Sequence, residues 1–510
     1  MEIINISTLA VGALLLLVMY FWKSLKPRDF PPGPSFLPII GSLLFLPTKV
    51  WKTREIPVAE YMNKTFGDIA GIFDSKRPII FISNADIVKK LFKMEECSGR
   101  PLSKPYQKLR YGGNDGKSRG LLFSEDKEWK EQRRFTMRSL KDLGFGKTTM
   151  EEDINQEVEK LVQRLKQECE GKATRLNSLM SLSVVNALWV LLVGEKLALD
   201  DPKLLEIVTA IDTFFQHTPG RNMLLEKLGP WAIEKWDFDY KESVKLLTDV
   251  KKIVTPYIQE HKEKSSDIGN ESTDYMDGYL REIEKNENDK SSSFHGIRGE
   301  ESLMSAILDL FMAGIETTTS SLMWGILFLL HYPSVQDKVH KELDRVLGET
   351  KTVAYEERTS LPYTCAVINE IHRKASIARL ALPHSTSQDI TIEGYRLPRG
   401  SIIVGNLIKI HHDERYWTKP HVFNPERFYD QENGVCLTNT NLMPFSVGKR
   451  YCLGQSLAEK EFFIFFVGLV KSFKFKPSES DELPDCGYKS GNQRSTIRSA
   501  PLYKVVLESR

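Results

Sequence analysis

Near the carboxyl end stands Phe445-Ser446-Val447-Gly448-Lys449-Arg450-Tyr451-Cys452-Leu453-Gly454, with a helix-like run from Ala458 to Phe466 behind it. A cysteine at the end of an irregular loop, just ahead of a helix, has a particular chemistry. The positive end of the helix dipole and the neighbouring Lys449 and Arg450 favour a thiolate over a thiol. Glycines at 448 and 454 permit tight turns and the close approach of a flat ligand. The N–H groups that follow can donate to the sulfur and tune a metal bound there. No second Cys or His stands near it at zinc-site spacing, whereas axial ligation of haem needs only one protein thiolate. A lone cysteine can also be a small buried hydrophobe. The other five, Cys97, Cys169, Cys365, Cys436 and Cys486, have no informative neighbours.

A second constellation, Ala313-Gly314-Ile315-Glu316-Thr317-Thr318-Thr319, lies within an apolar run from Glu301 to Leu330. Periodicity predicts a long buried helix there, and Asp309 and Glu316 break the run before spanning length. Small residues let a ligand approach, and threonine hydroxyls bond back to carbonyls a turn earlier, opening the helix locally. A packed Gly/Thr kink with Glu316 in an ion pair is the plain alternative. Glu370 and Arg373 are three apart, and Trp129 and Arg133 four apart, each pair on one helical face. Alone, either pair would pass for a solvated surface feature.

The elements that position these residues follow from the rest of the chain. It has 510 residues, 41% hydrophobic and 27% charged, and 70 Lys+Arg against 68 Asp+Glu leave a net charge of +2. That balance excludes a disordered, collagen-like or multi-span protein and gives no footprint for nucleic acid. Six cysteines are too few for a disulfide framework, which favours a reducing compartment. A strand is predicted after Pro78, with Asn84 capping the next helix. Helices are expected over 127–138, 150–168, 182–192 and 204–215, before Pro219-Gly220 breaks the chain. The polar stretch His261–Arg298 reads as a long surface loop holding one short helix around Tyr275–Ile283. Short strands follow at 390–392, 395–397 and 401–404. The expected fold is mainly α with a minority of short β-sheets.

At the amino terminus, the apolar run Ile3–Trp22 ends in an aromatic cluster, and Lys23, Lys26 and Arg28 follow. Residues 1–22 read as a transmembrane signal anchor with the body cytosolic, and 23–34 as a basic, proline-rich hinge. Residues 35–510 then form one large domain. A cleaved signal peptide would need a basic n-region and a small-residue cleavage site, which the segment lacks.

The pattern Phe-x-x-Gly-x-Arg-x-Cys-x-Gly resembles the signature of the cytochrome P-450s, the haem-thiolate monooxygenases. The chain is most similar to the microsomal group that includes vertebrate drug- and steroid-metabolising enzymes. The resemblance runs from the proline hinge to the carboxyl-terminal strands, and implies the cytochrome P-450 fold with a single N-terminal membrane anchor. It implies haem b (iron protoporphyrin IX), with Cys452 as the proximal iron ligand, whose thiolate donation favours O–O cleavage. Phe445 belongs to the same haem-binding signature. Thr317 and Glu316 are similar to the family's acid–alcohol pair, the alcohol donating to dioxygen and the acid relaying protons. Trp129, Arg133 and Arg450 match propionate-binding positions, as do Arg100 and His384. Glu370 and Arg373, completed by Arg427, match a buried charge network.

Relatives carry a proline soon after the position of Arg373, but here Lys374-Ala-Ser-Ile-Ala-Arg-Leu follows. The substrate-facing loop is therefore expected to have its own shape. No nicotinamide or flavin fingerprint occurs, so NADPH would act through a separate NADPH-cytochrome reductase, with a small b-type cytochrome as a further donor. Lys130, Arg134, Arg138 and Lys449 are candidates for its docking. Pocket walls are expected from the 101–120 loop, Phe214, Phe215, Ile307, Phe311, Ala313, Ile377 and Ala378, around a lipophilic steroid, terpenoid, fatty acid or foreign compound. The expected location is the cytosolic face of the endoplasmic reticulum membrane. Two rival readings remain: a haem-thiolate isomerase or dehydratase, whose members often lose the acid–alcohol pair, and a non-catalytic haem carrier.

Overall fold

The computed structural model describes residues 12, 14, 27, 29–37, 41–51, 57–75, 77–101, 116–143, 148–216, 225, 228–264, 272–350, 352–491 and 497–510. The anchor expected over 1–22 lies outside them, apart from residues 12 and 14. Contacts divide the chain into two compact units. One comprises Met1–Pro101 with Leu380–Asn406, and the other Leu102–Arg379 with Leu407–Arg510.

The smaller unit carries α1 (Thr48–Trp51), α2 (Val58–Phe66), β1 (Ile69–Asp74), β2 (Arg77–Ile82) and α3 (Ala85–Lys93). It is completed by β3 (His384–Ser385), β4 (Ile390–Ile392), β5 (Tyr395–Leu397) and β6 (Ile402–Gly405). Four strands form a sheet in the order β1-β2-β6-β3, with β2 and β6 parallel, and β4 pairs with β5. The Ile-rich runs of β2 and β6 suit a sheet covered on both faces, and most of their residues are buried. Asn84 caps α3 as expected, its Oδ1 accepting from the N–H groups of Asp86 and Ile87. The proline run lies along β1: Phe30 is buried, and Pro32 O accepts from Gly71 N–H.

The larger unit is helical. Its elements are α4 (Asp126–Asp142), α5 (Thr148–Cys169), α6 (Asn177–Val193), α7 (Pro202–Gln216), α8 (Pro230–Trp236), α9 (Phe238–Lys264) and α10 (Tyr275–Lys285). They continue with α11 (Gly296–His331), α12 (Pro333–Leu347), α13 (Pro362–Ala375), α14 (Leu407–His411) and α15 (Gln455–Ser472). Two small pairs, β7 (Tyr429–Asp430) with β8 (Val435–Cys436) and β9 (Phe473–Pro477) with β10 (Val505–Ser509), complete it. The 36-residue α11 organises the unit. Its carboxyl half packs Trp324 and Phe328 among the phenylalanines of α15, and its amino half packs Ile307, Phe311 and Ile315 against Trp189 of α6 and Ile211 of α7. This helix is long and apolar enough to cross a bilayer, but 83% of its most apolar window is buried inside the protein.

The short helix expected around Tyr275–Ile283 is present as α10; what differs is the connection around it, because α9 runs on to Lys264 and α11 already begins at Gly296. α10 carries a narrow apolar stripe. Tyr275, Met276, Tyr279 and Leu280 are buried, and the Tyr279 hydroxyl donates to Gln132 Oε1 at 2.6 Å. This stripe is the face by which α10 docks on the core.

Glu342 of α12 ties α13 in place. Its buried carboxylate accepts from the N–H groups of Tyr363 and Thr364, at 3.0 and 2.7 Å, and from the Thr364 hydroxyl at 2.6 Å. These are donors that the first turn of α13 cannot satisfy internally. Glu342→Ala is expected to lower stability by about 2–3 kcal/mol, the cost of leaving buried donors without a partner. Urea unfolding followed by tryptophan fluorescence would register this as a lower midpoint.

Candidate active site

The cysteine loop is held at both ends. Met443 N–H donates to His411 Nε2 at 2.9 Å, and Cys452 N–H donates to Phe445 O at 2.9 Å, closing the turn. Gly448 sits at φ +82°, a left-handed conformation that glycine adopts without strain. The chain then enters α15 three residues after Cys452.

Burial is the first influence on the Cys452 thiol and pushes its pKa up; the Gly454 N–H and the nearby Arg133 act against it. The cation acting on the sulfur is thus not the sequence neighbour that the dipole argument invoked. Lys449 is exposed. Arg450 turns away, with Cζ 3.8 Å from the centre of the Trp129 ring and a guanidinium N–H donating to Ser124 O at 2.8 Å. Arg133 instead reaches across from α4, donating to Tyr451 O at 2.9 Å and lying over the Tyr451 ring. Because α4 places Trp129 and Arg133 one turn apart, both meet the cysteine loop.

Midway along α11 the burial pattern breaks. Ala313 is exposed, and Gly314 and Thr317 are half-exposed, where the helix is otherwise buried. The Thr317 hydroxyl donates to Ala313 O at 2.6 Å, the back-bond expected of a threonine here. Glu316 is 7% exposed, and its Oε1 accepts from the hydroxyls of Ser320 and Ser499. No ion pair forms at Glu316 among the described residues; the carboxyl hydrogen-bonded to it is Asp212 of α7, pushed up to about 7 by burial and then by the charge of Glu316. Two residues on, the Thr318 hydroxyl donates to Glu461 of α15 at 3.3 Å, and burial pushes Glu461 up to about 8. Sequence reasoning missed both acids. The available signal for Asp212 was a carboxyl directly after the apolar run Ile207 to Ile211; Glu461 follows Glu459-Lys460 and gave none.

A strap over residues 118–122 is pinned to the same helix. Asp309 accepts from the N–H groups of Leu121 and Leu122 at 2.7 and 2.9 Å. Gly120, at φ +82°, lets the backbone approach, since a Cβ there would stand 2.7 Å from Asp309 Oδ2. Arg119 bridges Glu128 and Glu301. Of the expected pocket loop, residues 102–115 lie outside the described residues. Phe214 and Phe311 line one small apolar cavity with Ala210 and Met312, whereas Ile307 is core. The loop after α13 lacks its proline but is otherwise restrained. The fully buried Arg498 donates to the carbonyls of Lys374, Ala375, Gly487 and Ser490, and its own N–H bonds Ile377 O.

Glu370 and Arg373 are fully buried. Arg373 donates bidentately to Glu370 at 2.7 and 2.8 Å, and Arg427 Nε lies 3.1 Å from the same carboxylate. Asn424 N–H adds a further donor, and Arg373 also binds the carbonyls of His411 and Pro420. His372, between them in sequence, packs beside Phe445 and Phe462, and burial lowers its pKa to about 4. In the smaller unit, Arg100 donates to the carbonyls of Leu382 and Pro383, while His384 bonds Cys97 O and stacks on Phe92.

Among the described residues no group of three or more His, Cys, Asp or Glu could hold a metal ion. The residues present do fit an iron porphyrin: a thiol with an N–H donor and a cation beside it, two arginines and an indole for carboxylates, and small residues on the open face of α11. The comparisons with known proteins agree. The family model described as Cytochrome P450 matches residues 31–502. Cytochrome P450 2J1 of Oryctolagus cuniculus is 32% identical over 492 residues, covering 96% of this chain and 94% of the relative. Cytochrome P450 2J2 of Homo sapiens is 32% identical, covering 94% and 93%. Cytochrome P450 2C23 of Rattus norvegicus is also 32% identical, covering 100% of both chains. A cysteine loop shaped for one axial thiolate and likeness along nearly the whole length lead to the same place, and the chain belongs to the cytochrome P450 family of haem-dependent monooxygenases.

Proposed function

We propose that this protein is a membrane-anchored monooxygenase of the endoplasmic reticulum. It would insert one atom of O2 into a lipophilic small molecule, using electrons from NADPH passed on by a separate reductase. The observation that carries this reading is the pairing of Glu316 and Thr317 at the one point where α11 opens to a ligand. An isomerase or a haem carrier has no use for a proton-delivering pair.

Cys452 would hold the iron, whose charge deprotonates the thiol outright and so overcomes the upward push of burial. The bound haem supplies reductive activation of dioxygen, helped by electron donation from the thiolate. The Gly454 N–H and Arg133 are placed to stabilise negative charge on the sulfur. Trp129, Arg133 and Arg450 would bind the propionates; Arg100 and His384 carry that role from the family resemblance alone. Thr317 would exchange its bond to Ala313 O for one to the ligand, and Glu316 would supply the proton that follows. The half-buried Phe214 and the exposed Ala313 present apolar surface, which supports a lipophilic substrate. Lys130, Arg134, Arg138 and Lys449 are all exposed, as an acidic redox partner would require. The basic residues after the apolar amino-terminal run support an anchor with the body cytosolic.

The test is reconstitution of the full chain with reductase and NADPH over a panel of steroids, terpenoids, fatty acids and foreign lipophiles. Ligands that displace water from the iron should also give oxygenated products; CO binding with no product from any of them would leave only a carrier. Thr317→Ala should divert reducing equivalents to peroxide, with about tenfold less product per NADPH. Unchanged coupling would remove the proton-delivery role from this hydroxyl.

A further inference from the structure

The acid of the acid–alcohol pair has an acid of its own. Asp212 projects from α7, and its carboxyl is hydrogen-bonded to that of Glu316. Glu316 is nearly sealed, and its Oε1 is occupied by the hydroxyls of Ser320 and Ser499. Asp212 is half-buried, so it is the member of the pair that water can reach. Of the elements packed against α7, which are α6, α9 and α11, Glu316 is the only charged group acting on Asp212 among the described residues. With no cation between them, two bonded carboxyls hold a proton in common.

We propose that Asp212 is the outer station of the proton relay, reloading Glu316 from solvent each time Glu316 gives a proton toward Thr317. The Asp212 O–H proton moves to the Glu316 carboxylate, the Asp212 carboxylate takes a proton from water, and no electron moves. Asp212 touches neither haem nor substrate in this scheme; it is a positioning residue acting through Glu316. Its pKa of about 7 means that the station is loaded at lower pH and empties as the pH rises through neutrality. The proposal rests on the relay role given to Glu316 and Thr317.

Asp212→Asn keeps the size and the hydrogen bond but cannot release a proton. Infrared difference titration of the ferric full-length protein should show two protonated-carboxyl bands in the wild type, one disappearing across pH 7 and missing in Asp212→Asn, the other disappearing about pH 8, belonging to Glu461 and retained. In Glu316→Gln the Asp212 band should titrate at lower pH, because the neighbouring charge has gone. Reductase-supported NADPH oxidation without added substrate should fall about tenfold in Asp212→Asn and lose its decline above pH 7. Its solvent isotope effect should increase, and Asp212→Glu should recover most of the rate. An intact CO-adduct spectrum marks the variants as folded, and should Asp212→Asn not fold, the Glu316→Gln titration and the Asp212→Glu pH profile still decide. A wild-type rate and pH profile in Asp212→Asn, or survival in it of the carboxyl band that disappears across pH 7, overturns the proposal. If Thr317→Ala uncouples while Asp212→Asn is silent, only the role of Asp212 is lost. If Thr317→Ala does not uncouple, the relay reading itself fails.

Discussion

Cys452→His is expected to abolish the red-shifted Soret band of the ferrous CO adduct and, with it, monooxygenase turnover. Imidazole is neutral and cannot push electron density toward the bound oxygen as a thiolate does. The surroundings sharpen the effect: the Gly454 N–H and the Arg133 guanidinium are set to meet negative charge at this position. With histidine there, both face a neutral ring, and the larger side chain must fit a turn closed by the Cys452 N–H to Phe445 O bond. Recombinant variant and wild type, reduced under CO, give the answer in one spectrum. A red-shifted band retained in the variant would mean that another residue ligates the iron.

The second large effect is expected at Glu370. This carboxylate is fully buried and takes donors from Arg373, Arg427 and Asn424 N–H. Glu370→Ala leaves the buried guanidinium of Arg373 without its counter-charge, which costs on the order of 3–5 kcal/mol. That is a large part of the 5–15 kcal/mol by which a typical domain is stable. The expected result is protein that loses haem or fails to accumulate, rather than an enzyme with altered kinetics. Arg373→Lys should not rescue function, because an ammonium cannot reproduce the bidentate fork and its carbonyl contacts. Haem content per chain and the urea midpoint measure both, and a near-normal midpoint in Glu370→Ala would show the network to be dispensable.

Features written into contiguous residues were legible in the sequence. The central helix, the cysteine turn and the Asn84 cap each depend on spacing within a few positions, and α11, the Cys452 loop and α3 follow from them. What depended on distant partners was not. Glu370 and Arg373 are readable as neighbours, but Arg427, 57 residues beyond Glu370, could be joined to them only through the family resemblance. Asp212 looks like a stray charge, and Glu461 like one of the charged triplet Glu459-Lys460-Glu461, until α7 and α15 are laid against α11. Adjacency also misled: Lys449 and Arg450 flank the cysteine along the chain, yet the turn directs them elsewhere and Arg133 arrives from another helix. The helix around Tyr275–Ile283 was legible as well; the α4 partners of its buried tyrosines were not.

The buried Arg498 makes the tail of the chain a structural tenant of the region following α13. In place of a stiffening ring inside that turn, rigidity is borrowed from residues more than a hundred positions downstream. The two stretches must therefore drift together over generations. Exchange of the tail alone between related enzymes would reshape the neighbouring turn, with the Cys452 loop left as it was.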